Sequence, residues 1–330
     1  MLMVLVSVDT SASSIRAKKP GGARIYAVSH CWEAQQHPDP FGFQSRRLLD
    51  WFFLPSQTGI ESVAGKFSPD SAWLFIDYIC LPQYKRSGDE QVSFSRAMKA
   101  MHVLYAHAAI FHVVRLEDIA ASEHLDLPNP FPSLGRFIIT SMLRCVPGVR
   151  SPKFIEIYCE STNKVELRPF AELVLNRVPY AQRGWCIAEV QWMSTKESIH
   201  RYAPMTPAMF RERVKRGLEG EQDGLVLMFT HRDDMNIVVR LQEAVFLKHS
   251  QQRTKLCAFD LPLKEVEVLA ETLPSFVNLK FLRVVYSSEA DVDLFESCIA
   301  ILQPVIPLCR RLSEATVVDR DRVANLLIKS

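Results

Sequence analysis

SAWLFIDYICLPQ, residues 71–83, is the stretch on which the fold turns. Trp73, Leu74, Phe75 and Ile76 form an unbroken apolar run of strand length, Asp77 ends it, and Pro82 closes the segment. A run that is apolar at every position suits a strand covered on both faces, as in a parallel sheet. A polar residue where such a strand runs out is placed where open parallel sheets carry their ligands.

The pattern recurs on both sides. From Arg24, IYAVS is a second short apolar run, and HPDPFGF, residues 37–43, holds two prolines and a glycine and predicts an irregular loop. A helix is predicted over Ser45–Phe53. Apolar residues at 94, 97, 98, 101, 104, 105 and 108 have the spacing of an amphipathic helix over 90–108, and AIFHVV, 109–114, reads as a third strand. Strand, helix, strand alternation predicts βαβ units: an α/β fold with a mostly parallel sheet flanked by helices.

The same patterns set the domain organisation. Residues 1–22 include DTSASSIRAKKPGG and predict a flexible leader. A first domain is expected over 23–203, with a Pro-rich insertion at about 116–180 that holds one or two helices before the helix WCIAEVQWM, 185–193. Prolines in RYAPMTPAMF mark a boundary, and 204–330 predicts a C-terminal α/β region. Its strands would be GLVLMFT (224–230), KLCAFDL (255–261) and LKFLRVVY (279–286), with helices at 211–220, 236–250, 264–273 and 292–302. LPSFVNLKFLRVVY resembles one leucine-rich repeat, but a solenoid needs about three units to bury a core.

Composition narrows the function classes. Lys and Arg number 39 against 37 Asp and Glu, a net charge of +2, and no basic cluster is interleaved with aromatics, so nucleic acid is not an expected partner. The eight cysteines include no C-x-x-C pair, which predicts neither a zinc site nor a disulfide framework but reduced thiols in a cytoplasmic protein. MLMVLVSV has no basic residue before it, and no apolar run reaches the roughly 18 residues of a membrane span. Phosphate-loop, G-x-G-x-x-G, G-x-S-x-G and H-E-x-x-H signatures are missing. His102, His107 and His112 are five apart, a spacing that scatters them round a helix, so no metal site is expected.

Four segments, in order, resemble the fungal heterokaryon-incompatibility (HET) domain. They are Ser29-His30-Cys31-Trp32-Glu33; Ile76-Asp77 with Cys80 and Gln83; Met101 with Leu104, Tyr105 and Ala108; and Arg183 with Trp185 and Glu189. The last also resembles the Toll/interleukin-1 receptor (TIR) domain, in which an aromatic, Cys and Glu at the spacing of Trp185, Cys186 and Glu189 open a helix beside the active site. The resemblance implies a TIR/flavodoxin-like sheet, a signalling or defence role, and NAD as substrate with no permanently bound cofactor. It nominates Glu189 as catalytic. Arg183 stands where TIR domains have Ser, and His30 and Glu33 stand where HET domains have Tyr and Gly; a carboxylate at 33 would repel a phosphate.

The chemistry is coherent with that nomination. The nicotinamide leaving group of NAD is already cationic, so cleavage needs no general acid, only a carboxylate to stabilise or attack the ribosyl centre. Apolar neighbours one turn either side, Trp185 and Met193, would strengthen that carboxylate's attraction for a developing cation. Ser29, His30, Trp32, Asp77, Arg183 and Trp185 are the expected nucleotide contacts, with Trp32 stacking on a flat ring and Ser29 and Asp77 bonding ribose hydroxyls. Glu189 equally suits the start of a helix with no function, because the macrodipole favours an acid there. A non-enzymatic module that assembles with copies of itself or with a protein partner is the competing expectation.

Overall fold

The computed structural model describes residues 3–4, 24–53, 72–81, 86–107, 110–119, 154–159, 161–221, 226–229, 232–286, 292–319 and 322–328. Most of the expected leader and residues 120–153 of the expected insertion lie outside them. The chain is α/β, with parallel sheets flanked by helices, as the apolar runs predict. It divides into two compact units, residues 1–101 with 109–186, and residues 102–108 with 187–330. The sequence places the change of domain after residue 203; in contact terms it falls at Cys186/Ile187.

In the first unit β1 (Met3–Val4), β2 (Arg24–His30), β3 (Ala72–Ile76) and β4 (Ile110–Leu116) form an all-parallel sheet in the order β1-β3-β2-β4. From β2 the chain moves to one side to make β3, then returns to the other side for β4. The carboxyl end of β2 is therefore a topological switch point, where connections leave in opposite directions and open a crevice. Helix α1 (Phe43–Phe53) brings Leu48 and Trp51 onto Tyr26, Val28, Leu74, Val114 and Leu116, with Trp51 edge-on to Tyr26 at 6.1 Å. Each of these side chains contributes about 1.5–3 kcal/mol by leaving water.

Asp77 opens a single helical turn, α2 (Asp77–Cys80), directly from β3. The expected helix over 90–108 is two pieces. Helix α3 (Gly88–Ala100) starts in a capping box, Ser87 Oγ accepting from the Glu90 N–H and Glu90 accepting from the Ser87 N–H, and it ends before Met101. The short α4 (Val103–Ala106) belongs to the second unit, where His102 and Tyr105 pack at 6.4 and 6.0 Å from the Trp192 ring. The described part of the insertion carries an antiparallel hairpin, β5 (Phe154–Cys159) and β6 (Lys164–Pro169). Its Ile155 and Ile157 pack with Ala34, Phe41 and Leu173.

Helix α5 (Gly184–Met193) is apolar on nearly every side and almost wholly buried, as such a helix must be. In the second unit β7 (Ser198–His200), β8 (Lys255–Phe259), β9 (Phe281–Val285), β10 (Glu314–Val318) and β11 (Val323–Ile328) lie in sequential order. The first four are parallel and β11 is antiparallel. Leu256, Ala258, Leu282, Val284, Ala315 and Val317 are buried, while Lys255, Phe281, Arg283 and Glu314 between them are exposed, the alternation of a sheet with one covered face. Helices α6 (Pro207–Leu218), α7 (Arg232–Gln252), α8 (Leu263–Thr272) and α9 (Val292–Leu302) make the crossovers. No helix among the described residues is long and apolar enough to cross a membrane.

The expected strand at 224–230 is a correction. Residues 226–229 add no strand to the sheet; Val226 and Leu227 are buried, and Leu227 lies against α6, its N–H donating to the Arg213 carbonyl at 3.0 Å. Gly217 permits this approach, since a Cβ there would lie 2.2 Å from the Leu227 carbonyl oxygen. Gly217→Ala is therefore expected to destabilise the protein by about 1–3 kcal/mol, whereas Gly88→Ala, which meets nothing within 4 Å, leaves stability unchanged or slightly raised. Thermal unfolding of the two variants checks this contrast.

Candidate functional site

His30 ends β2, Ile76 ends β3 and Leu116 ends β4, and at these carboxyl ends the first unit holds a cavity of about 60 Å3. Val28, Leu48, Ile76, Ile79 and Leu116 form its apolar wall; His30, His37, Asp39, Gln44, Ser45 and Tyr78 form its polar one. The volume is well below the roughly 300–1,000 Å3 of sites that enclose a drug-sized ligand. It takes one small group, with the rest of any larger ligand lying outside.

The polar wall comes from the loop that leaves β2. Arg183, only 6% exposed, ties that loop to the segment ahead of α5 through three main-chain bonds: Nη1 to the Trp32 carbonyl in the loop at 2.5 Å, and Nε to Val178 at 2.7 Å and Nη2 to Asn176 at 3.0 Å in its own segment. Backbone pairing completes the seam, with the Asn176 N–H donating to the Glu33 carbonyl, the Gln35 N–H to Val174, and a bridge between Ala34 and Leu175. Glu33 is thereby buried, its Oε1 beside Gln44. Desolvation, then the Asp39 carboxylate, push its carboxyl up to about 8.

His37 is pushed the other way, to about 4, because burial disfavours its cation while Asp39 opposes only part of the shift. Its Nδ1 accepts the Asp39 N–H at 3.1 Å, so in the neutral ring the proton sits on Nε2, 3.4 Å from the Tyr78 hydroxyl oxygen. The Tyr78 hydroxyl accepts that contact and keeps its own hydrogen to donate. Gln44 is 3% exposed; its Nε2 donates to the Asp118 carbonyl at 2.8 Å and to Glu33 Oε1 at 3.4 Å. Gln44 Oε1 and Glu33 Oε2 have no hydrogen-bond partner among the described residues.

Of the six expected nucleotide contacts, His30 alone walls the pocket. Its Nδ1 lies 3.7 Å from Asp77 Oδ1, and Asp77 also accepts the Tyr78 N–H at 2.6 Å. Ser29 is fully buried with its Oγ 2.6 Å from the Tyr180 hydroxyl, not turned to a ligand. Trp32 stands edge-on to Tyr78 at 5.9 Å, Trp185 is half-buried, and Arg183 spends its donors on the backbone. Cys31 and Cys186 are brought together; the Cys186 thiol, helped by Arg183 and opposed by burial, lowers the Cys31 pKa. Glu189 falls in the second unit and is 6% exposed. Among the described residues no group of three His, Cys, Asp or Glu is placed to hold a metal ion.

His37, Asp39, Gln44, Ser45 and Tyr78 line the pocket although the sequence did not nominate them. A signal was present: HPDPFGF follows the first strand of a parallel sheet, where ligand loops belong. No family model, no curated protein and no solved structure matches the chain.

The opposed shifts make a pH prediction. Glu33 is protonated more readily in the folded than in the unfolded chain, so its contribution is complete below its ordinary value of 4.5 and is lost as pH rises towards about 8. His37 acts oppositely, and its contribution is lost as pH falls from 6.5 towards about 4. Between pH 6.5 and 8 Glu33 acts alone. Glu33→Gln is expected to flatten the fall in stability across that window and to raise stability at pH 8 by about 2–4 kcal/mol, read by denaturant unfolding at both pH values.

Proposed function

We propose that this protein is a HET/TIR-like signalling or defence module of the cytoplasm that binds a nucleotide at the carboxyl edge of its first sheet and releases nicotinamide from NAD. The observation that carries nucleotide binding is the pocket at the switch point of a parallel sheet, where the unit gathers His30, His37 and Tyr78. The ordered four-segment resemblance supports the family and the substrate. Glu189 is the candidate catalytic carboxylate on that resemblance, and its burial suits a carboxylate that meets a developing cation. The described cysteines are all free thiols, which supports a reducing compartment.

A second reading, a non-enzymatic module that assembles through its surface, is favoured by the commitment of Ser29 and Arg183 to internal hydrogen bonds. Incubation of purified protein with NAD separates the two. Nicotinamide release that falls by about 100-fold or more in Glu189→Gln supports the hydrolase. Equal turnover in the variant removes Glu189 from catalysis, and calorimetric binding of NAD without turnover removes the hydrolase but keeps the nucleotide site.

A further inference from the structure

Gln44, at the start of α1, spends both hydrogens of its Nε2: one on the Asp118 carbonyl at 2.8 Å and one on Glu33 Oε1 at 3.4 Å. Turning the amide over would set its oxygen against the Asp118 carbonyl, so the bond to Asp118 fixes which way it faces. Gln44 Oε1 is then left buried with no partner among the described residues, and Glu33 Oε2 is in the same condition. Amide and carboxyl already meet through Nε2 and Oε1, and each brings a second acceptor for which no donor is present.

One hydrogen serves both oxygens. A carboxylate this deeply buried, with a single long bond, is costly, and the neutral acid supplies the missing donor. The charges around it allow this. Asp39, on the same loop, disfavours the ionised form and outweighs Arg177, ahead of α5, and Arg46 of α1. Burial keeps His37 of that loop neutral, the Asp118 carboxylate is paired with Arg47, and Arg183 gives its donors to main-chain carbonyls.

We propose that Glu33 is a neutral acid in the folded protein, its Oε2 hydrogen donated to Gln44 Oε1, and that this acid–amide pair is a proton-operated latch between α1 and the segment after β4. With the proton in place, Gln44 keeps its Nε2 on Asp118. When hydroxide takes the proton, forming water, a bare carboxylate oxygen faces the amide oxygen with no hydrogen between them. The pair parts, and the hold of Gln44 on Asp118 loosens. Gln44 and Leu116 both wall the pocket, so the latch joins two of its sides. The inference concerns this seam and does not rest on NAD turnover.

The test is an NMR titration of the isotope-labelled full chain from neutral pH to well above 8, following the Glu33 carboxyl carbon, the Gln44 side-chain NH2 and the Asp118 carbonyl carbon. The three signals are expected to move together with one midpoint at about 8. In Glu33→Gln the Gln44 and Asp118 signals are expected to stay fixed over the same range, because a second amide supplies a hydrogen at every pH. A Glu33 carboxyl already ionised at neutral pH, a Gln44 or Asp118 signal that does not follow Glu33, or undiminished movement in Glu33→Gln overturns the proposal. The wild-type signals decide by themselves if the variant fails to fold. NAD turnover without the shared titration defeats only this inference, and the shared titration without NAD binding defeats only the nucleotide assignment.

Discussion

Arg183 brings a full positive charge into the interior of the first unit, and the carbonyls of Trp32, Asn176 and Val178 receive it. Hydrogen bonds from a charged donor are the stronger kind, roughly 1.5–3 kcal/mol each, and a buried guanidinium deprived of them would cost several kcal/mol. This constraint fixes the course of the chain after β2. Once Trp32 is held, residues 33–35 run alongside 174–176, Glu33 turns inward, and His37 to Asp39 arrive at the start of α1. The pocket wall is in this sense built by an arginine that does not touch it.

Burial then decides the electrostatics. Glu33 and His37 sit within a few residues of each other, and desolvation favours the neutral form of both, one from above and one from below neutral pH. Asp39 works with burial at Glu33 and against it at His37, which is why a single carboxylate can serve both and still close the N-terminus of α1. The resulting cavity sets an aliphatic wall against a polar one, the combination that fixes the orientation of a small bound group.

Much of the fold was legible because buried parallel strands must be apolar at consecutive positions: WLFI, IYAVS and AIFHVV each became a strand of the first sheet, and VDLFESCIAIL became a helix at the expected bounds. The same signal misleads where an apolar run packs on a helix, as Leu227 does against α6. The break after Ala100 is invisible in the spacing, since Tyr105 continues the apolar face and only its partner Trp192, far along the chain, shows where it belongs. The pocket lies at the end of β2, where the apolar runs place a ligand crevice, while Ser29 and Arg183 take internal partners and Glu33, met as a departure from a motif, is buried beside Gln44.

The dependence of the pocket wall on Arg183 is tested most directly by amide hydrogen exchange in the wild type and in Arg183→Lys, which keeps the charge but cannot reach three carbonyls at once. The account predicts that protection falls at the amides of Glu33, Gln35 and Asn176 while the β2, β3 and β4 ladder retains its own. Unchanged protection at those three amides would contradict it.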